Sequence, residues 1–166
     1  PLGNSYIWVK VPQIADSSST MTMSWGNSGA LDGQEPPQVW SGDYGAVYHL
    51  NEDVDDEQTT GTHVDATGNG YDGAQNGNVE APGVSSFSQS FDGSFEGEGE
   101  EVDYIVPNNY VRIPDVSDYT WSAWVKTTAS NGSHDIMGRI TSTYVVPNAG
   151  ILFPTGGRIM RINNGV

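Results

Sequence analysis

"YTWSAWVKT", Tyr119 to Thr127, carries the clearest strand pattern in the chain. Side chains of a β-strand point alternately to opposite faces. Tyr119, Trp121, Ala123 and Val125 then share one face, and Thr120, Ser122, Trp124 and Lys126 share the other. The first face is apolar throughout, as a core-facing strand requires. The second carries a tryptophan among polar neighbours. Large aromatics are usually buried for packing, so the alternation leaves open what a tryptophan does on the polar face.

Working outward, the same period of two recurs in short runs. "YIWVKVP" sets Ile7, Val9 and Val11 against Trp8 and Lys10. "TMTMSWG" alternates Met21, Met23 and Trp25 with Thr and Ser, and "ADSSS" between the two runs reads as a turn. Tyr6 to Trp25 is therefore expected to be a hairpin. "NSGALDGQEPPQ" is a polar connector. "GAVYHLNE" reads as a strand. Asn51 to Asn78, almost all polar and Gly, reads as loop with at most one short strand. "SSFSQSFDGS" places Phe87, Gln89 and Phe91 on one face. "DYIVP", "NYVRIP", "DIMGRIT", "YVVP", "GILFP" and "GRIMRIN" are short strands bounded by Gly, Pro or Asn. No segment has a helical period. Many short strands with frequent turn signals predict an all-β sandwich or barrel.

The totals narrow the function classes. The 166 residues suffice for one domain of ordinary size. A formal net charge of -15 disfavours nucleic acid and anionic membrane surfaces, and it suits hard cations with oxygen ligands. There is no cysteine, so disulfides and thiolate chemistry are excluded. No apolar run reaches the length of a membrane span, so no membrane insertion is expected. The opening "PLG" fits the remnant of an expression tag.

"VWSGDYGAVYHLNE", "DATGNGYDG", "SFDGS", "NYVRIPD" and "YTWSAWVKT" occur in that order. The arrangement resembles bacterial laminin-G-like, concanavalin A-like domains over Val39 to about Val166. Upstream, "IWVKVPQIADSSSTMTMSWGNSGA" resembles the end of a bacterial domain of unknown function found next to such modules. The resemblance implies an antiparallel jelly-roll sandwich over 31–166, incomplete at its C-terminus, after terminal strands of an upstream β domain at 1–30. In such sandwiches a further layer covers part of one outer face, which implies Trp121 in the main core and Trp124 beneath that layer, the alternative being a ligand-facing surface. The family pattern would continue past "GRIMRIN" with closing strands. Their absence implies unpaired edges and, through them, a homodimer or strand exchange. The implied role is a non-catalytic recognition module of a larger secreted or cell-envelope bacterial protein, binding a glycan or cell-surface ligand.

Three groups of residues carry candidate chemistry. "DATGNG" sets Asp65, Thr67 and Asn69 at alternate positions before Gly70, the first half of a calcium-loop pattern. Asn76 stands where an EF-hand needs Glu, so an EF-hand is rejected. A calcium site at the sandwich edge would use Asp65, Asn69 and Asp92; the competing reading is a set of ordinary Asx turns. "EGEGEEVDYIV" matches only part of the catalytic strand of laminarinase-like glycosidases. Glu101, Val102 and Asp103 fit, but Val106 replaces the acid/base Glu, and hydrolysis needs two carboxylates. The expectation is that the protein is not an enzyme. Trp40, Tyr71 and Tyr104, with Tyr44, Tyr110 and Tyr144, sit at strand ends or in loops, suited to stacking on sugar rings or to rim packing. Of the three histidines, His49, His63 and His134, no two have a ligand-like spacing.

Overall fold

The computed structural model describes residues 6–91, 103–108, 118–127, 133–139, 150–153 and 159–163. A single helical turn, α1 (Pro36–Val39), opens on the proline pair that the connector supplies. Proline suits a first turn because its fixed φ is already helical. The strands are β1 (Thr62–His63), β2 (Gly73–Asn76), β3 (Val79–Pro82), β4 (Phe87–Ser90), β5 (Tyr104–Pro107), β6 (Ser133–Arg139), β7 (Gly150–Phe153) and β8 (Ile159–Asn163). Among the described residues the protein is all-β, with almost no helix. Strands β4 to β8 fall on the short runs that the sequence marks as strands. "NYVRIP", "YVVP" and Asp92 lie outside the described residues.

Six strands form one sheet in the order β1-β2-β5-β7-β6-β8, and β3 and β4 form a second. Pairing is antiparallel for β1–β2, β2–β5, β3–β4 and β6–β8. The expected wholly antiparallel pattern fails at β7, which runs parallel to both β5 and β6. A parallel pair cannot be closed by a tight hairpin and needs a longer crossover. A register shift between Asp135 and Met137 marks a bulge in β6.

Ile105 of β5, with no accessible surface, is the centre of the apolar core. Ala46, Tyr48, Leu50, Tyr71, Phe91, Trp121 and Met137 pack around it. Gly73 of β2 leaves the space that the Ile105 side chain fills. Val54 and Ala66 are the other fully buried apolar residues described, against eight buried polar ones. Hydrogen bonding therefore carries much of the interior.

Two sequence expectations need correction. Residues 118–127 are not in a strand. Trp121 does join the core, and its ring meets Tyr119 at 5.5 Å, so the same-face alternation holds locally. Trp124, however, is 85% exposed: no described element covers it. Second, Tyr6 to Trp25 is not a paired hairpin. The Asp16–Ser19 turn forms, with the Ser18 amide donating to Asp16 Oδ1 and the Ser19 amide to the Asp16 carbonyl. Its arms make no backbone–backbone hydrogen bonds among the described residues. A lone hairpin is marginal in water, and the first arm instead docks through side chains. On β4 the residues of one face differ in burial. Phe87 is exposed, and Gln89 is buried by its hydrogen bonds.

Candidate functional site

Two arrangements stand out, one buried and one exposed. The buried one ties β1, the turn after β2, and β4 to the loop at Glu52. Gln89 Nε2 donates to the carbonyls of Leu50 (3.3 Å) and Glu52 (2.9 Å). Those acceptors fix the amide, so Gln89 Oε1 must accept, and it does so from Asn78 Nδ2 at 2.9 Å. The same Asn78 nitrogen lies 3.0 Å from His63 Nε2. His63 Nε2 therefore accepts, and its Nδ1 carries the proton toward Glu52 Oε2 at 3.0 Å. The result is a neutral imidazole donating to a carboxylate. Burial raises the Glu52 carboxyl, but the hydrogen bonds from His63 and the backbone outweigh it and leave it below its ordinary value. Gln75 extends the network, donating to the Asp55 and Asn78 carbonyls and accepting from the Gly61 amide. His63 and Asn78 have no accessible surface, so this group holds the two sheets together and offers nothing to a ligand.

The exposed arrangement is a chain of rings. Trp40 meets Tyr44 edge-on at 5.3 Å and Trp8 at 5.3 Å, and Trp8 stacks on His49 at 5.6 Å with 16° between planes. Trp40 and His49 are 5.7 Å apart. Trp8 and Tyr44 are each 51% exposed. Strand alternation explains the arm's contribution. Trp8 and Lys10 share one face, and both dock: Lys10 Nζ donates to the Gln38 carbonyl at 3.2 Å and to Ser41 Oγ. Ile7, Val9 and Val11, on the other face, stay exposed.

The Asp65 loop supports this patch from beneath. Asp65 Oδ1 accepts from the Val47 and Thr67 amides and the Thr67 hydroxyl; Oδ2 accepts from that hydroxyl and the Tyr71 amide. Asn69 Nδ2 donates to the Tyr44 (3.1 Å) and Gly45 (3.0 Å) carbonyls. Gly68 packs close to Pro37 of α1, where an added Cβ would lie 2.9 Å from the proline Cβ. Its φ of +77° is left-handed, which favours glycine.

The structure brings Asp65 and Asn69 into one loop, but both are already engaged: Asp65 accepts from its own loop, in the manner of an Asx turn, and from Val47, and Asn69 donates to the Tyr44 and Gly45 carbonyls. Among the described residues no group of three His, Asp or Glu is placed to hold a metal ion. Of the aromatic candidates, Trp40 lies in the ring cluster. Tyr71 packs on Ile105, and its carbonyl accepts from the Tyr48 hydroxyl. That hydroxyl is pushed above its ordinary pKa by burial, with the Asp65 and Asp72 carboxylates and Tyr71 adding to it. Tyr104 is half-buried in β5, paired with Asn76 and Gly150. Trp40, Tyr71 and Tyr104 therefore do not form one ring cluster. Asp103 is buried against Gly77, and Val106 is a ladder residue opposite Ala74. Glu101 and Val102 lie outside the described residues. Sequence reading missed Trp8 and His49 as partners of Trp40; the signal was the shared parity of Trp8 and Lys10. No family model, curated protein or solved structure matches the chain.

Proposed function

We propose that this protein is a non-catalytic recognition module that binds a glycan on the ring cluster of Trp8, Trp40 and Tyr44. The observation that carries the reading is the cluster itself: contacting rings with two of their number half-exposed, backed by a hydrogen-bonded loop. Exposed aromatic surface fixed in place offers flat apolar faces to the C–H faces of a sugar at little cost in side-chain entropy. The reading agrees with the laminin-G-like, concanavalin A-like resemblance of the sequence, and with it a jelly-roll sandwich in a secreted or cell-envelope bacterial protein.

A glycan array probed with the chain tests it. At least one glycan should be retained, and Trp8→Ala or Tyr44→Ala should lose it. Trp25→Ala, which removes an exposed tryptophan outside the cluster, should keep it. An array with no bound glycan contradicts the proposal. A reducing-sugar assay on β-glucans separates it from the laminarinase-type alternative. Calcium assistance through Asp65, Asn69 and Asp92 is tested apart from both. Any cation there competes with the donors already on Asp65, and equal melting temperatures with calcium and with chelator remove it.

A further inference from the structure

Resting on the glycan reading above, we infer the class of glycan: a neutral one, whose hydroxyl group donates to Asn69 Oδ1. Two independent features of the patch lead there.

The first is the state of the Asn69 amide. Both of its protons go to main-chain carbonyls, those of Tyr44 and Gly45. The orientation is forced, because the flipped amide would set its oxygen against two carbonyl oxygens. Asn69 is exposed, and no described residue donates to its Oδ1. Its remaining capacity is that of an acceptor, held at the Tyr44 end of the ring cluster. A fixed acceptor tied to the main chain of a residue whose ring is exposed matches a sugar, which lays its C–H face on a ring and offers hydroxyl protons at its edge. It does not match an anion, whose oxygens would set acceptors against an acceptor.

The second feature is charge. Between residues 6 and 50 the cation is Lys10, and its ammonium is already engaged by the Gln38 carbonyl and Ser41 Oγ. The same segment carries Asp16, Asp32, Glu35 and Asp43 within a chain of net charge -15. Uronate, sulfated or phosphorylated glycans meet repulsion at long range and no bidentate donor at short range. Asn69 thus has two tasks. It positions Tyr44 through its two protons, and it reads a hydroxyl through its oxygen.

The test uses the 166-residue chain and tryptophan fluorescence at low salt, with defined probes. These are the neutral hexamers of cellulose, laminarin and N-acetylchitin, the O-methylated form of whichever hexamer binds, and hexagalacturonate. A neutral hexamer should bind, hexagalacturonate should not, and O-methylation should weaken binding about tenfold, the scale of one lost hydrogen bond. In Asn69→Ala the discrimination between hydroxyl and methoxyl should vanish, whatever the variant's overall affinity. Loss of overall affinity alone is what a merely structural role of Asn69 would give. Unchanged discrimination in Asn69→Ala overturns the role of its oxygen. Binding of hexagalacturonate as tight as that of the neutral probes overturns the class while leaving glycan recognition standing. Binding of none of the probes by a chain that does retain an array glycan also overturns the class. No glycan on either assay removes the recognition reading and this inference together.

Discussion

At the residue scale, the account rests on side chains whose hydrogen bonds leave no alternative. Asn78 is the clearest. Its amide nitrogen serves both His63 and Gln89, and its oxygen accepts from the Asn76 amide. Asn78→Ala should destabilise the fold by about 1–3 kcal/mol for each buried group left unpaired, read by urea denaturation. A loss below about 0.5 kcal/mol, the level of an ordinary surface substitution, would contradict the network. Glu52 makes the stability depend on pH. Its carboxyl titrates lower in the fold than in the unfolded chain, whose value is about 4.3. The contribution is present above that unfolded value and is lost as pH falls through the lower folded value. Wild type should therefore lose more stability than Glu52→Gln between neutral pH and acid; parallel losses would show that the carboxylate contributes nothing. Gly73 tests packing instead of polarity. A methyl there runs into Ile105, and Gly73→Ala should cost about 1–3 kcal/mol.

At the element scale, the structure separates pattern from pairing. The period of two at Tyr6 to Pro12 and at Thr20 to Gly26 is as regular as that of any strand, yet these arms hold no ladder. β2, "GAQN", has no apolar alternation and is a paired, buried strand. The difference is tertiary. β2 lies between β1 and β5, and Gln75 on its inner side is satisfied by Gly61, Asp55 and Asn78. Composition marks such a strand as loop because its burial depends on partners distant in sequence, those of β5 among them. The runs at β5 to β8 are legible because short apolar stretches and Gly, Pro or Asn stops coincide there. Of the site, Trp40 was legible as an aromatic in a loop. Its ring partners were not, because the shared parity of Trp8 and Lys10 marks which face of the arm docks but not where. Hydrogen exchange checks this division: amides of residues 6–12 and 20–26 should exchange fast, and those of β2 and β5 slowly. Protection of the two arms in the isolated chain would restore the hairpin. Dimerisation through open strand edges is a separate proposal, and a concentration-independent monomer mass by light scattering would remove it.

At the scale of the whole molecule, a small apolar core and a charge of -15 act in opposition. Self-repulsion of the carboxylates opposes compaction, and salt screens it; the Debye length falls from about 10 Å at 0.1 M to about 3 Å at 1 M. The melting temperature should rise with added sodium chloride, and a fall would show that attractive ion pairs dominate. The same negative field surrounds the ring cluster, which ties the stability of the molecule to the kind of ligand it accepts. The indole N–H signals of the five tryptophans locate that ligand most directly, by NMR during titration with a glycan that the chain retains. The expected result is movement of the Trp8 and Trp40 signals while Trp25 and Trp124, exposed but outside the cluster, stay fixed. Movement of Trp25 or Trp124 with Trp8 and Trp40 unchanged would contradict the assignment of the recognition surface.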